Sequence, residues 1–488
     1  MQTESQTSNR WLVLVIACLA QFMVVLDNTI VNVALPSIQR GLSFSPANLQ
    51  WVVDGYTLIF GGFLMLGGRA ADLLGRRRLF VIGVALFSAA SLVNGLAQSS
   101  TMLIVGRGVQ GLGGALVSPA ALSIIMTTFE DTTERTRALG VWSAIAAGGA
   151  AFGLLLGGVL TDAVSWRWNF FINVPVGIGA VIAATRFVPE SLADLGHRRF
   201  DAVGATTVTG GLLAMVFGIV KAEAWGWGSA KTLGVFALGL ALLVAFVVIE
   251  SRSDAPLVKL SIFRIRSIAT ANTVMLLVAS AMFGFFFFAS LYVQDVLGYS
   301  PLKAGFAFLP ATLGIMVGAG VAQGLIKRLG VRNLTVLGVT LATVGMVILT
   351  QLPVHGHYLS NLLVGLLPLA FGLGLTFVPI TLLGTSGVDN DDAGLASGLF
   401  NSAQQVGGSL GLAVLSTLAA DRTRSLLGGA GHQLTLAGQL AARVSGYHVA
   451  FLAAAIMLGA GAVLMVLFLR RRHVENVSLD AAALPVAA

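Results

Sequence analysis

Fourteen stretches of about twenty apolar residues follow one another along this chain, separated by short polar segments. They lie near 11–33, 48–67, 79–97, 101–126, 138–162, 168–187, 202–221, 231–250, 268–292, 302–326, 334–352, 360–384, 396–418 and 447–469. About twenty residues is the length an α-helix needs to cross the hydrocarbon of a bilayer. Only 10% of the residues are charged, against about 25% in soluble domains, so the runs read as membrane spans. The 59 glycines suit helices packed with their backbones close. The first run is too long for the core of a signal peptide and reads as an uncleaved span.

An even number of spans puts both ends on one side, and the basic residues say which. With the N-terminus inside, the inner loops hold Arg69, Arg76, Arg77, Arg78, Arg135, Arg137, Arg198, Arg199, Arg252, Lys259, Arg264, Arg266, Lys327, Arg328 and Arg332. The tail adds Arg470, Arg471 and Arg472, while the outer loops hold only Arg40, Arg167, Lys221, Lys231, Lys303, Arg422, Arg424 and Arg443. The expectation is a multi-pass protein of the cell membrane with both termini cytoplasmic. The net charge of +8 is therefore membrane topology and not a nucleic-acid surface. A single cysteine, Cys18, excludes a disulfide within the chain.

A repeat runs through the spans. Gly111 and Gly113 precede Pro119 in the fourth, and Gly372 and Gly374 precede Pro379 in the twelfth. The loop from Gly68 to Arg78 has a weaker echo from Gly324 to Arg332. Such repeats point to two related bundles with a site between them. The expected fold is an all-α polytopic membrane protein: two pseudo-symmetric six-helix bundles, at 1–200 and 267–473, plus two inserted transmembrane helices with a linker at 201–266 and a tail at 474–488.

Charges inside spans mark function or a structural lock, because each is expensive in hydrocarbon. Asp27, Asp54 and Arg107 lie at similar depths from the ends of their spans, so all three can meet at one level. A carboxylate paired with a guanidinium holds its proton less tightly than one left among apolar groups. Separating them moves a proton; leaving them together makes a static salt bridge, and both readings stay open. Trp51 and Tyr56 flank Asp54 as interfacial belt residues or as aromatic faces for a cation. In the second half Asn272, Asn401, Gln404 and Gln405 are interhelical hydrogen bonds or cavity contacts. The loop residues Gly68, Asp72, Gly75, Arg76 and Arg77 either anchor the chain or form a latch whose charge pairs break and re-form. Gly140, Gly149, Gly153, Gly157 and Gly158 give the fifth span a smooth packing face. The phenylalanine run from Phe283 to Phe288 circles its helix, so part of it is expected to face lipid.

No G-x-x-x-x-G-K-[ST] sequence is present, which excludes ATP hydrolysis through a P-loop. The six histidines have no metal-ligand spacing, and nothing supports an enzyme.

Taken together, Leu26 through Pro36, Gly68 through Arg78, Arg107 through Gly111, the Gly140–Gly158 line and Trp166 through Pro175 resemble a major facilitator superfamily transporter of the fourteen-span drug:proton antiporter branch. The resemblance implies export of lipophilic, often cationic, small molecules in exchange for protons, by alternating access of two bundles in a bilayer. It implies no cofactor beyond the proton gradient, no nucleic-acid partner, and a monomer. By position, Asp27 resembles the acid that handles protons and cations, and Arg107 the arginine linked to proton transfer. Gly68, Asp72 and Arg76 fall on the cytoplasmic latch, and Gly149, Gly153, Gly157 and Gly158 on the antiporter motif. Leu154 departs from that motif, which carries a helix-bending proline there. Export of an endogenous metabolite or lipid by the same fold is the alternative. A receptor or scaffold is disfavoured by the intramembrane charges and the repeat.

Overall fold

The computed structural model describes residues 2–129, 131–191, 201–253, 256–385, 393–429 and 435–469. Arg198, Arg199, the arginines at 470–472 and the tail at 474–488 lie outside the described residues. Fourteen long helices run through the described residues: α1 Gln2–Gly41, α2 Trp51–Leu74, α3 Arg76–Gly95, α4 Ser100–Thr128, α5 Thr132–Ala163, α6 Asn173–Phe187, α7 Ala202–Trp225, α8 Ala230–Arg252, α9 Arg266–Leu291, α10 Pro301–Leu329, α11 Val331–Leu349, α12 Leu363–Thr385, α13 Ala393–Gly429 and α14 Leu436–Phe468.

Among the described residues twelve helices are long and apolar enough to cross a membrane, each at one of the fourteen expected spans. The other two, α5 and α13, are unbroken helices of 32 and 37 residues. Both are rich in Gly, Ala and Ser. Helices wedged between other helices gain from close backbones more than from bulky side chains. Two boundaries also move. The first span continues through Pro36 to Gly41, and most of the expected loop at 419–446 is helix, from α13 to Gly429 and from Leu436 onward.

In the first half α1 packs on α5, α4 and α6, and α4 lies between α2 and α3. In the second, α9 packs on α13 and α14, and α12 lies between α10 and α11. The fourth helix of each half thus wedges between the second and third. It does so at its paired glycines: Gly111 against Tyr56 of α2 and Gly113 against Phe87 of α3, then Gly374 against Ile315 of α10 and Gly372 against Ala342 of α11. The second and third helices of each half are joined by one glycine in a conformation that favours glycine, Gly75 at φ 106° and Gly330 at φ 76°. Across the halves α5 meets α10 and α2 meets α13, so the second helix of each half packs on the fifth of the other.

The inserted pair is asymmetric. Helix α7 packs over the α2–α13 seam, where Leu58, Leu212, Val216 and Ala413 form one buried cluster. Helix α8 packs mainly on α7, and only 11% of its apolar window is buried, so it faces lipid. Most of the phenylalanine run turns inward. Phe285, Phe287 and Phe288 are buried and Phe283 and Phe286 half-buried, because α9 is enclosed by α13, α14, α12 and α1.

Candidate functional site: a buried ion pair in the first bundle

Arg107 and Gln110 lie three residues apart on α4 and so share a face. Gly111 and Gly113 let α4 approach the backbones of α2 and α3, and this proximity lets short polar side chains reach them. Arg107 Nη1 donates to Asp27 Oδ2 of α1 at 2.5 Å and to Gln110 Oε1 at 2.9 Å. Its Nε donates to the Val52 carbonyl of α2 at 2.8 Å. The other carboxylate oxygen, Asp27 Oδ1, accepts from Gln110 Nε2 at 2.7 Å and from Asn173 Nδ2 of α6 at 3.0 Å. Gln110 Nε2 also donates to Ser91 Oγ of α3 at 2.7 Å, and Asn94 Nδ2 donates to Gln110 Oε1 at 2.8 Å. The guanidinium carbon stands 4.4 Å over the Tyr56 ring and 5.8 Å from that of Phe170. Five helices therefore converge on one ion pair with no exposed surface to speak of. Desolvating two charges costs several kcal/mol each, and such a pair persists only when further hydrogen bonds saturate it. Here the carboxylate accepts three and the guanidinium donates three.

The structure thus brings Asp27 and Arg107 together and leaves Asp54 out. Asp54 is fully buried on the opposite side of α2, in the seam with α13. Its two oxygens have no hydrogen bond of good geometry and face Ser409 across the seam. The stripe Asp54, Thr57, Gly61 and Met65 meets Ser409, Gln405, Ser402 and Gly398. Thr57 and Ser409 hydroxyls are hydrogen-bonded, Ser402 Oγ donates to Gly61 O at 2.9 Å, and Gly61 lies against Gln405 Cβ. The expectation that all three charges share one level as one cluster is therefore corrected to two separate loci.

Tyr56 is also corrected. It stacks on Phe60 at 5.6 Å beneath Arg107 and belongs to the core of the first bundle, with no open face for a ligand. Trp51 turns to the inserted pair, 6.4 Å from the Phe217 ring of α7. Asn272 and Asn401 donate to the carbonyls of Ile268 and Ser397 in their own helices, at 2.9 and 3.1 Å. Gln405 is half-buried with Oε1 unpartnered, and Gln404 is half-buried beside it.

At the arginine-rich end of the bundle, the charges of the loop are met by Glu190, just beyond α6. It accepts from the Arg77 backbone N–H at 3.1 Å and lies 3.6 Å from Arg77 Nε and 3.8 Å from Arg78 Nε. The Arg76 backbone N–H donates to Ser191 O at 3.1 Å. Gly75 occupies the cap position of α3, and the side chain of Asp72 lies outside the described residues. Gly68 sits against Pro119 of α4.

The glycine line of α5 has two faces. Gly149 lies against Val25, Gly153 against Leu26 and Thr29, and Gly157 against Ile30, all on α1; Gly158 meets Pro301 and Leu302 of α10. Gly140 is half-buried nearer the start of α5. Leu154 is buried, with its carbonyl against Gly305 of α10, and α5 passes through it without a break. Among the described residues no three His, Cys, Asp or Glu side chains group as a metal site.

Sequence reasoning did not single out Gln110, Asn173, Asn94, Ser91 or Glu190 as functional. Gln110 and Asn173 stood within quoted motifs. Their signal was an amide one turn from Arg107 and an amide in a span near the same depth.

The family model described as Major Facilitator Superfamily matches residues 17–202 and again 201–412. The puromycin resistance protein pur8 of Streptomyces alboniger is 40% identical over 90% of this chain and 88% of its own. The cephamycin export protein CmcT of Amycolatopsis lactamdurans is 40% identical over 86% of this chain and 87% of its own. Among solved structures, a bacterial homolog of the human lysosomal transporter Spinster, inward-facing and unoccupied, shares the fold with a TM-score of 0.65. It is 16% identical over 96% of this chain and 98% of that one. With its helices, its repeated half and these relatives, the chain belongs to the major facilitator superfamily and is a multi-pass membrane transporter of small molecules, not an enzyme.

Proposed function

We propose that this protein exports small antimicrobial compounds across the cell membrane in exchange for protons, by alternating access of its two bundles. The observation that carries the reading is the Asp27–Arg107 pair, closed off from solvent and saturated within one bundle. A proton delivered to Asp27 cancels the pair and frees Arg107, so occupancy of this site by a proton is coupled to the packing of five helices. Relatives named for puromycin resistance and cephamycin export support a drug or antibiotic as cargo. Asp54 is the second element. A buried carboxyl with no cation beside it among the described residues is a place where a proton or a cationic substrate supplies the missing charge. In this reading both termini are cytoplasmic, the chain works as a monomer, and the proton gradient replaces any cofactor.

The test is ethidium efflux with and without a protonophore, and puromycin susceptibility beside it, for wild type, Asp27→Asn and Asp54→Asn at matched amounts in the membrane. Protonophore-sensitive efflux that Asp27→Asn abolishes is the expected result. Normal, proton-dependent efflux by Asp27→Asn sinks the assignment. Puromycin resistance without ethidium efflux moves the cargo away from planar dye cations and toward the dedicated export of one compound, the alternative that relatives named for single antibiotics favour.

A further inference from the structure

Pro36 lies inside α1, which continues past it to Gly41. Proline has no N–H, and its ring crowds the carbonyl four residues back, so the Asn32 carbonyl loses its helical donor. Within a membrane such a carbonyl must be satisfied by another group of the protein. The donor here comes from the other bundle. Ser290 Oγ of α9 donates to Asn32 O at 2.7 Å. Gln294, one turn on, donates from Nε2 to Val33 O at 2.9 Å and to Ser290 Oγ at 3.1 Å. The hydrogens balance: both amide protons and the hydroxyl proton are used, and the serine oxygen is acceptor and donor at once. Both side chains are buried, Ser290 at 0% and Gln294 at 8% exposure. The wide π turn Tyr292–Val296 begins between these two donors, and such turns concentrate at functional positions. The same end of the molecule is closed a second time where Gly158 of α5 meets Pro301 and Leu302 of α10.

We propose that Ser290 and Gln294 are positioning residues of a gate at the end of the bundles remote from the arginine-rich loop, and that Pro36 supplies the acceptor of Ser290. When the two bundles part at this end, α1 leaves α9, the Asn32 carbonyl loses the donor that replaces its helical one, and the Val33 carbonyl loses the Gln294 bond. Only water admitted to the cleft can replace the donor of Asn32 O, so opening is tied to hydration of that cleft. The proline thus gives the closed arrangement a partner-specific bond that a regular helix would satisfy internally. Asn32 is five residues along α1 from Asp27, so the gate and the ion pair share one rigid segment. The place of this gate in a transport cycle rests on the alternating-access reading above; the contact itself does not.

The experiment measures the separation of the bundles at this end in the full-length protein in lipid nanodiscs, by pulsed dipolar spectroscopy. Spin labels go at the exposed positions Thr101→Cys, at the start of α4, and Lys303→Cys, at the start of α10, with the one native cysteine removed as Cys18→Ser. Ser290→Ala/Gln294→Leu is expected to raise the ratio of long to short distances about tenfold, the scale of one or two buried hydrogen bonds. Ser290→Thr, which keeps the hydroxyl, is expected to restore the wild-type ratio. In a Pro36→Ala background α1 supplies its own donor to Asn32, and Ser290→Ala is expected to lose its effect. An unchanged ratio in the double variant overturns the proposal, as does an equal Ser290→Ala effect with and without Pro36. Should the double variant fail to accumulate, Ser290→Ala alone is read by the same criteria. The ratio is measured without substrate or gradient. A Pro36-dependent shift in a protein that exports no drug therefore supports the gate and counts against the function, and the reverse separates equally.

Discussion

Arg107 Nη1 and Asp27 Oδ2 face each other across 2.5 Å, from α4 and α1, with side-chain exposures of 1% and 0%. Breaking a buried pair by removing one partner costs about 3–5 kcal/mol, because the charge left behind has no compensation. Asp27→Asn is therefore expected to lower the thermal midpoint of the purified protein, and Asp27→Asn/Arg107→Gln to recover part of the loss. Arg107→Lys keeps the charge but not the fork that reaches Asp27, Gln110 and the Val52 carbonyl at once, nor the stack on Tyr56. It should behave more like the neutral variants than like wild type in both stability and efflux. Scanning fluorimetry and efflux on the same preparations check this.

Gln110 is the hinge between the charges and the neutral part of the network. Gln110→Leu leaves Asp27, Ser91, Asn94 and Arg107 each short of one partner. An unsatisfied buried polar group costs about 1–3 kcal/mol, so the expected destabilisation approaches that of losing Asp27. Because the residues share partners, Gln110→Leu with Asp27→Asn should cost clearly less than the sum of the two. A double-mutant cycle on thermal midpoints reads the coupling, and additive effects would show that the network is not one unit.

The sequence revealed the ion pair because a charge inside an apolar run has few explanations. Depth along a span places Asp27 and Arg107 at one level, and the structure joins them. Depth carries no information about which face a residue occupies. Asp54 and Tyr56 are two residues apart on α2, about 200° around the helix, so when Tyr56 lies under Arg107, Asp54 points to α13. Amides such as Gln110 and Asn173 look like ordinary interhelical glue until the neighbouring helix is known. Glu190 escaped because it lies beyond a span, more than a hundred residues from the arginines it meets. The paired glycines of α4 and α12 were legible as a repeat, since close approach leaves few other residue types.

Asp54 should respond in the opposite way to Asp27. Its carboxyl has no cation near enough to pair with among the described residues, and neither oxygen has a well-formed hydrogen bond. Asp54→Asn removes a buried group that ionises and keeps its shape, so the thermal midpoint is expected to stay within about 1 kcal/mol of wild type or to rise. If Asp54 serves protons or cations, ethidium efflux is lost in the same variant. Loss of stability together with activity would instead make Asp54 a structural acid of the α2–α13 seam.

Leu154 stands where the antiporter motif has a proline, and here α5 is one helix from Thr132 to Ala163. Its side chain is 3% exposed and its carbonyl faces Gly305 of α10, so the residue helps to set the contact between the two bundles. Leu154→Pro removes the N–H that binds the carbonyl of Ala150 and costs about 3 kcal/mol or more in a helix interior. The bend falls in the turn from Ala150 to Leu154, so it tilts the far end of α5, with Gly157 on α1 and Gly158 on α10, relative to its beginning. Leu154→Ala only removes packing, at about 2–5 kcal/mol, and keeps the helix straight. The two variants are thus matched in stability loss but differ in geometry. With spin labels at Thr101→Cys and Lys303→Cys, Leu154→Pro is expected to change the ratio of long to short distances and Leu154→Ala to leave it alone. Equal ratios in both would mean that the line of α5 does not govern how the bundles meet.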